Sequence, residues 1–478
     1  MARPQGFLAV PSGKTFSFVR LVVGAILFSA CIISVGCTSE ESEPIQETKQ
    51  PGPVKATEPP KLVVGPGLVD EKPKSGRYVE LEGGLYMVPY TLMMPGTEYE
   101  FTMVPIPGGT VKVGSPEGEA NRNENEGPQV EVTLEPYWIA SHETTWGQYH
   151  HFMDLYNLFK TFESLPALQL IPREDDPERE KKEALRQVVL EVLKENEALR
   201  DVIELDNRFA TDAITVPTPL YDPATNYQYG GEEEQPAVTM TQYAAKQFTK
   251  WLSAQTGQVL HLPTEAQWEY AARAGGTTAY SFGDDLEKLG EYGWYYENSD
   301  DQLHEIKTKK PNDWGLYDMH GNAAEWCLDQ IQETGYADLA KKSTEKGPLT
   351  TFSAVLWPKS HENHVAKGGH LDDDPPALRS AARLGTNESE WKAADPNIPR
   401  SPWWYTSYPG SFVGFRIVRS LHEPDRQTRR NLWDETYDDL SKDIDYRLTE
   451  GRATKHSAQV GSNEVLHGLF KIDDERDK

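Results

Sequence analysis

The stretch LPTEAQWEYAARAG, Leu262–Gly275, decides how the chain is to be read. Thr264 and Gln267 stand at the spacing of a capping box, in which each side chain satisfies a backbone N–H of the other at a helix start. Trp268, Ala271 and Ala272 then recur on one face, and Gly275 ends the helix. The segment before it, Pro236–Gly257, repeats the design. Thr239 and Gln242 have the capping-box spacing, Ala244, Ala245, Phe248, Trp251 and Leu252 form one apolar face, and Gly257 is the stop. Both helices are short and apolar on one side, so each must lie against something else.

That something is a set of short strands. Apolar alternation begins near Tyr78, strengthens at Tyr99–Pro107, passes Gly108-Gly109 and resumes at Val111–Gly114, a strand-turn-strand signature. Val130–Leu134 and Tyr137–Ile139 read as another pair. With 37 glycines and 34 prolines in 478 residues, long regular elements have little room, while 12 tryptophans and 10% aromatic residues supply core. The expected class is α+β and loop-rich. The net charge of -27 repels phosphate backbones, which argues against nucleic acid as a partner and favours cations and basic peptides.

The ends read differently. Arg3, Lys14 and Arg20 precede an apolar run, Leu21–Val35, and Ser34-Val35-Gly36 lead to Cys37. This resembles a bacterial lipoprotein signal over 1–37 with Cys37 as the lipidation site, followed by a polar tether over 38–76. An uncleaved membrane anchor is the other reading; both export the body and place it at a cell envelope, on the periplasmic side or the cell surface. Cys31 lies in the signal, which leaves Cys327 as the one thiol of the exported body and rules out a disulfide within it. A charged insertion, about 160–232, interrupts the body at 77–420, and a charged tail covers 421–478. Within the insertion, Leu185, Val189, Val192, Asn196, Leu199 and Ile203 alternate steps of four and three along a helix over 177–209, which suits either self-association or packing on its own domain.

Six ordered motifs are similar to those of the formylglycine-generating enzyme family, also called sulfatase-modifying factors. They are Gly114–Gly118, Pro236–Ser253, Leu262–Gly275, Trp314–Trp326, Gly368-Gly369 with Arg379–Arg383, and Val413–Val418. The resemblance spans about Phe101 to Arg419, broken by the insertion. It implies a C-type-lectin-like core with a small twisted antiparallel sheet and two helices. It also implies a structural calcium held by Asp318, Gly321, Ala323 and Glu325, and a second, weaker cation position at Asn298 and Ser299. Taken alone, DMHGNAAE, Asp318–Glu325, offers the mix of carboxylate and carbonyl oxygens that calcium takes, or else two solvated acids on a turn.

In that family the segment between Gly-Gly and Arg-x-Ala-Ala-Arg carries two cysteines whose thiolates bind copper(I), and the copper activates oxygen to oxidise a substrate cysteine to formylglycine. Here the segment reads His370-Leu-Asp-Asp-Asp-Pro-Pro-Ala-Leu378, with Asp372, Asp373 and Asp374 and no cysteine. Soft Cu(I) needs soft ligands, so copper is not expected. His370 and the three aspartates are the remaining weak catalytic candidates, on a solvated acidic loop or around a hard cation. His361 and His364 are read as surface histidines rather than a metal pair. A ligand cleft is expected near His370–Asp374 and the aromatics Trp403, Trp404, Tyr405 and Tyr408, suited to a glycan, a cationic peptide or an envelope protein; core packing is the alternative for those aromatics. The expectation is a noncatalytic binding or scaffolding domain. Its rivals are an active sulfatase-modifying oxidase, or a related metal-dependent oxidoreductase, and a structural component of an envelope complex.

Overall fold

In a computed structural model the described residues are 62–95, 97–153, 179, 227–392, 403–405, 407–433 and 437. The signal and Cys37, the tether as far as residue 61, nearly all of the insertion helix 177–209, and the tail beyond 437 lie outside them. Among the described residues no helix is long and apolar enough to cross a membrane.

The sequence alternation becomes strands whose two faces differ. In β7, Val130–Leu134, the valines and leucine are buried while Glu131 and Thr133 are exposed, as a period of two requires on a half-covered sheet. The largest sheet runs β4 (Tyr90–Met93), β5 (Glu100–Ile106), β8 (Tyr137–Ala140), β15 (Val418–Ser420) and β9 (Leu260–His261), antiparallel throughout. A second sheet orders β13 (Leu384–Gly385), β12 (His364–Lys367), β10 (Ala324–Gln330) and β14 (Val413–Gly414). A third joins β11 (Leu349–Thr350), β7 and β6 (Gly109–Val113). The expected pairing of β5 with β6, and of β7 with β8, does not occur. β6 pairs with β7, whereas β5 pairs with β8; the two crossings pass close together, where a Cβ on Gly108 would lie 2.8 Å from Leu134 O and from the Pro136 ring.

Both sequence-predicted helices are present. α1, Gln242–Thr256, is capped by Thr241, whose hydroxyl accepts the Ala244 N–H at 3.1 Å, rather than by Thr239. α2, Glu265–Arg273, has the full capping box, with Thr264 N–H to Gln267 at 3.0 Å and Gln267 N–H to Thr264 at 3.1 Å. Between them β8 and β10 partition the core. Trp138 and Trp326 face the α1 side with Phe248, Trp251 and Phe415, while Ile139 and Cys327 face the α2 side with Trp268 and Ala271. Adjacent strand residues point to opposite faces, so one strand serves both halves.

The body exceeds its sequence-drawn limits at each end. Residues 62–76 are not tether throughout: β1 (Leu68–Val69) pairs with β3 (Tyr86–Met87), which β2 (Val79–Glu80) joins on its other edge, Leu68 is buried, and Arg419 donates to Pro66 O at 2.7 Å. Beyond 420, α3 (Arg426–Trp433) packs on α1, with Leu432 and Trp433 buried and Trp433 Nε1 donating to Leu260 O at 2.9 Å.

Candidate functional site

The calcium motif spans the entry to β10. Asp318, at φ 57 and buried, accepts the Lys307 N–H at 2.9 Å through Oδ2, and its Oδ1 has no hydrogen-bond partner. Burial pushes its carboxyl up to about 6. Gly321 has φ 117 and a Cβ there would lie 2.0 Å from Trp294 O, so only glycine fits. Glu325 is already occupied. Arg416, fully buried, donates to its two oxygens at 2.5 Å each, and Trp268 Nε1 adds a third contact at 2.7 Å. Arg416 also donates to Ala140 O and Tyr317 O, which makes it the bridge between β8, the 317 turn and β10.

A further acid completes this cluster. Glu143 accepts the Ala323 N–H at 2.9 Å and the Asn322 side-chain amide at 3.0 Å, and burial raises its carboxyl well above the usual range. Sequence reading passed over it. The available signal was an acid three residues beyond the apolar run Tyr137–Ala140, close behind a strand that the core must cover. Of the four predicted ligands, Asp318 alone therefore offers a free buried side-chain oxygen, which suits a cation; Glu325 is instead the counter-ion of Arg416. The weaker pair is also engaged. Asn298 Oδ1 accepts the Tyr295 N–H at 2.8 Å and its amide donates to Gly293 O, closing a turn, while the Ser299 hydroxyl donates to Leu371 O at 2.9 Å.

The loop after β12 turns on Gly368 and Gly369, at φ 95 and 68; a Cβ on Gly369 would meet Ala377 O at 3.0 Å. The three aspartates diverge. Asp373 points inward, accepting the His370 N–H at 2.9 Å; Asp372 is half-buried; Asp374 is exposed and starts the 3-10 turn Pro375–Leu378. His370 is buried between Phe412, 5.0 Å away, and Tyr408, at 5.8 Å. The Asp372 N–H donates to its Nδ1 at 3.3 Å, and burial pushes the imidazole down to about 4. Near neutral pH the ring proton consequently sits on Nε2, 3.4 Å from Asp373 Oδ2. Burial also pushes Asp373 up to about 6, so no pH leaves both groups charged.

The expected aromatic cleft divides. Trp403, Trp404 and Tyr405 are buried core residues, with Met240 bridged to Trp404 and the Tyr405 N–H donating to Thr239 O, whereas Tyr408 is 54% exposed. Packing against Tyr149, Phe152, Tyr243 and Trp326 claims the first three. Arg379 and Arg383 are equally structural, paired inside the protein with Glu126 and Glu265. His364 is not a surface residue: it is buried in β12, with Nε2 on Ser360 O at 2.7 Å and its ring against Tyr437.

Residues 90–421 match the family described as the sulfatase-modifying factor enzyme 1-like domain. The chain belongs to this family. A formylglycine-generating enzyme of Streptomyces coelicolor is 32% identical over 146 residues, 28% of this chain and 44% of that protein. The serine/threonine-protein kinase pkn1 of Chlamydia pneumoniae is 36% identical over 129 residues, 26% of this chain and 19% of its own length. The chain thus spans less than half the length of these relatives. Among solved structures, PvdO from Pseudomonas aeruginosa superposes with a TM-score of 0.42 at 21% identity, covering 67% of this chain and 94% of that one.

Within the sulfatase-modifying factor fold, the residues of this loop do not fit copper(I). The donors at 370–378 are one imidazole and carboxylates, with no thiolate to make the two-sulfur site. Cys327 cannot stand in. It is fully buried on the α2 side of β10, and burial pushes its thiol well above the usual range.

Proposed function

We propose that this sulfatase-modifying factor relative is a noncatalytic binding module, exported and held at a cell envelope by lipid on Cys37. The observation that carries the reading is the donor set between Gly369 and Arg379, where hard oxygen ligands and a proton-bearing imidazole replace soft thiolates. The fold is kept for what it displays: a loop surface bearing Tyr408, Asp372 and Asp373. Two arrangements support a kept scaffold without a reaction centre. Each arginine of Arg-Ser-Ala-Ala-Arg is tied into a buried ion pair, and His370 is locked by its own loop. Calcium remains part of the proposal as a structural ion, with Asp318 Oδ1 as its side-chain ligand and the carbonyls of Gly321 and Ala323 as companions; it would neutralise buried acids, not react.

Copper affinity tests the reading. The purified chain, titrated with Cu(I) against a chromophoric chelator, should leave the metal on the chelator. Stoichiometric capture lost in Cys327→Ser would contradict it.

A further inference from the structure

Tyr336 carries a polar atom that the fold encloses and does not satisfy. The residue is 1% exposed, and its hydroxyl has no hydrogen-bond partner among the described residues. An unpaired buried hydroxyl is costly, and native proteins rarely keep one without a bridging water. The ring is not free to swing toward a partner. The Arg383 guanidinium lies 4.4 Å from its centroid, and Gly114 is packed so close that a Cβ there would stand 3.0 Å from Cε2. The Tyr336 N–H is also tied to Gly127 O at 3.0 Å.

The ring lines a small cavity between α2, β7 and β10. Val132, Leu339 and Ala354 give it an apolar wall, and Glu265 and Asp329 bring two buried acids to it. Asp329 accepts the Glu265 N–H at 2.7 Å and the Leu356 N–H at 3.1 Å, while Glu265 pairs with Arg383 at 2.7 Å. A carboxylate offers about four lone-pair sites, so both acids keep acceptor capacity. Burial foremost, and nearby Glu265 with it, holds the Tyr336 phenol well above its usual range, so the hydroxyl keeps its proton and is a donor.

Size decides what can join them. The cavity measures about 10 Å³, which is room for a single water. A buried water typically makes about two to four hydrogen bonds, and Tyr336 with the two acids supplies enough partners. A cation at the same place would face Arg383 and Lys367, both already paired with Glu265.

We propose that one structural water occupies this cavity, accepting from Tyr336 Oη and donating to the carboxylates of Glu265 and Asp329. It fastens the segment that leads into the helix Ala337–Lys346 to the start of α2 and to β10. The inference concerns the scaffold and stands apart from the binding reading above.

Tyr336→Phe keeps the ring and removes the hydroxyl, and the two accounts predict opposite signs. If the cavity is dry, the variant sheds an unpaired buried hydroxyl and melts at or above the wild-type temperature. If the water is there, the variant removes one of its partners, and melting should fall by about 2 °C. The companion measurement is a crystal structure of the full chain in which ordered waters are resolved. The expected result is density in the cavity within hydrogen-bond distance of Tyr336 Oη and of an acid oxygen, together with the lower melting of the variant. An empty cavity in a map that shows other buried waters, or a variant that melts at or above wild type, overturns the proposal.

Discussion

Glu325→Gln is the perturbation that separates two accounts of a fully buried charge, Arg416. Arg416 has no exposed surface, and Glu325 supplies both of its closest contacts while also receiving Trp268 Nε1. A glutamine presents one acceptor oxygen where two stood, and its amide hydrogens must face either the guanidinium or the indole N–H. Removing one partner of a buried pair costs about 3–5 kcal/mol, since the other charge is left uncompensated. Asp318 and Glu143 also attract Arg416, so the loss should fall near the lower end, about 3 kcal/mol. Urea unfolding would measure it, run once in chelator and once in excess calcium. The pairing seen here predicts the same loss in both, and partial recovery when Arg416→Met is added to Glu325→Gln. If the loss vanished in chelator, Glu325 would be acting through a bound cation, and the assignment to Arg416 would be refuted.

Three further outcomes are expected. The His370 ring should remain neutral by NMR from about pH 5.5 to 8, with only the small step that titration of neighbouring Asp373 near 6 imposes; its folded pKa lies below the unfolded value, so the native state binds fewer protons between about 4 and 6.5 and this residue makes stability rise with pH across that window. A midpoint near 6.5 would show a solvated imidazole and undo the locked-loop description. Cys37→Ser should abolish incorporation of labelled fatty acid, and unchanged labelling would remove Cys37 as the acyl site. Val192→Asp should shift the sedimentation of the chain toward monomer with its circular dichroism intact if the seam over 177–209 is a partner surface; loss of the folded signal would instead place that stripe against its own domain.

What the sequence disclosed followed the range of the interactions involved. Thr264 and Gln267 are three residues apart, so the cap of α2 was readable and both of its hydrogen bonds are present. For α1 the same spacing pointed to Thr239, but Thr241 does the capping, because Thr239 is held at φ 72 in the contact with Tyr405. Strands were legible singly from their alternation, but alternation says which face is buried and nothing about the neighbour, so β5 and β6 were paired wrongly. Trp403-Trp404-Tyr405 could have lined a cleft or a core; only the approach of Tyr149, Phe152 and Trp326 from elsewhere decides it. The Glu325–Arg416 pair spans 91 residues, and no local pattern announces it. The divergence of Asp372, Asp373 and Asp374 was readable from three consecutive acids, while the inward turn of Asp373 depends on where His370 is packed.

The most direct test of the noncatalytic account is turnover. The full chain, loaded with copper(I) and supplied with oxygen, is incubated with a peptide carrying a sulfatase-type cysteine, and the product mass is read for the aldehyde. The account predicts unchanged peptide, since the segment 370–378 supplies no thiolate for a two-sulfur copper site and Cys327 is sealed within β10. Aldehyde formation that persists in Cys327→Ser would contradict it and make His370 and the aspartates the catalytic residues.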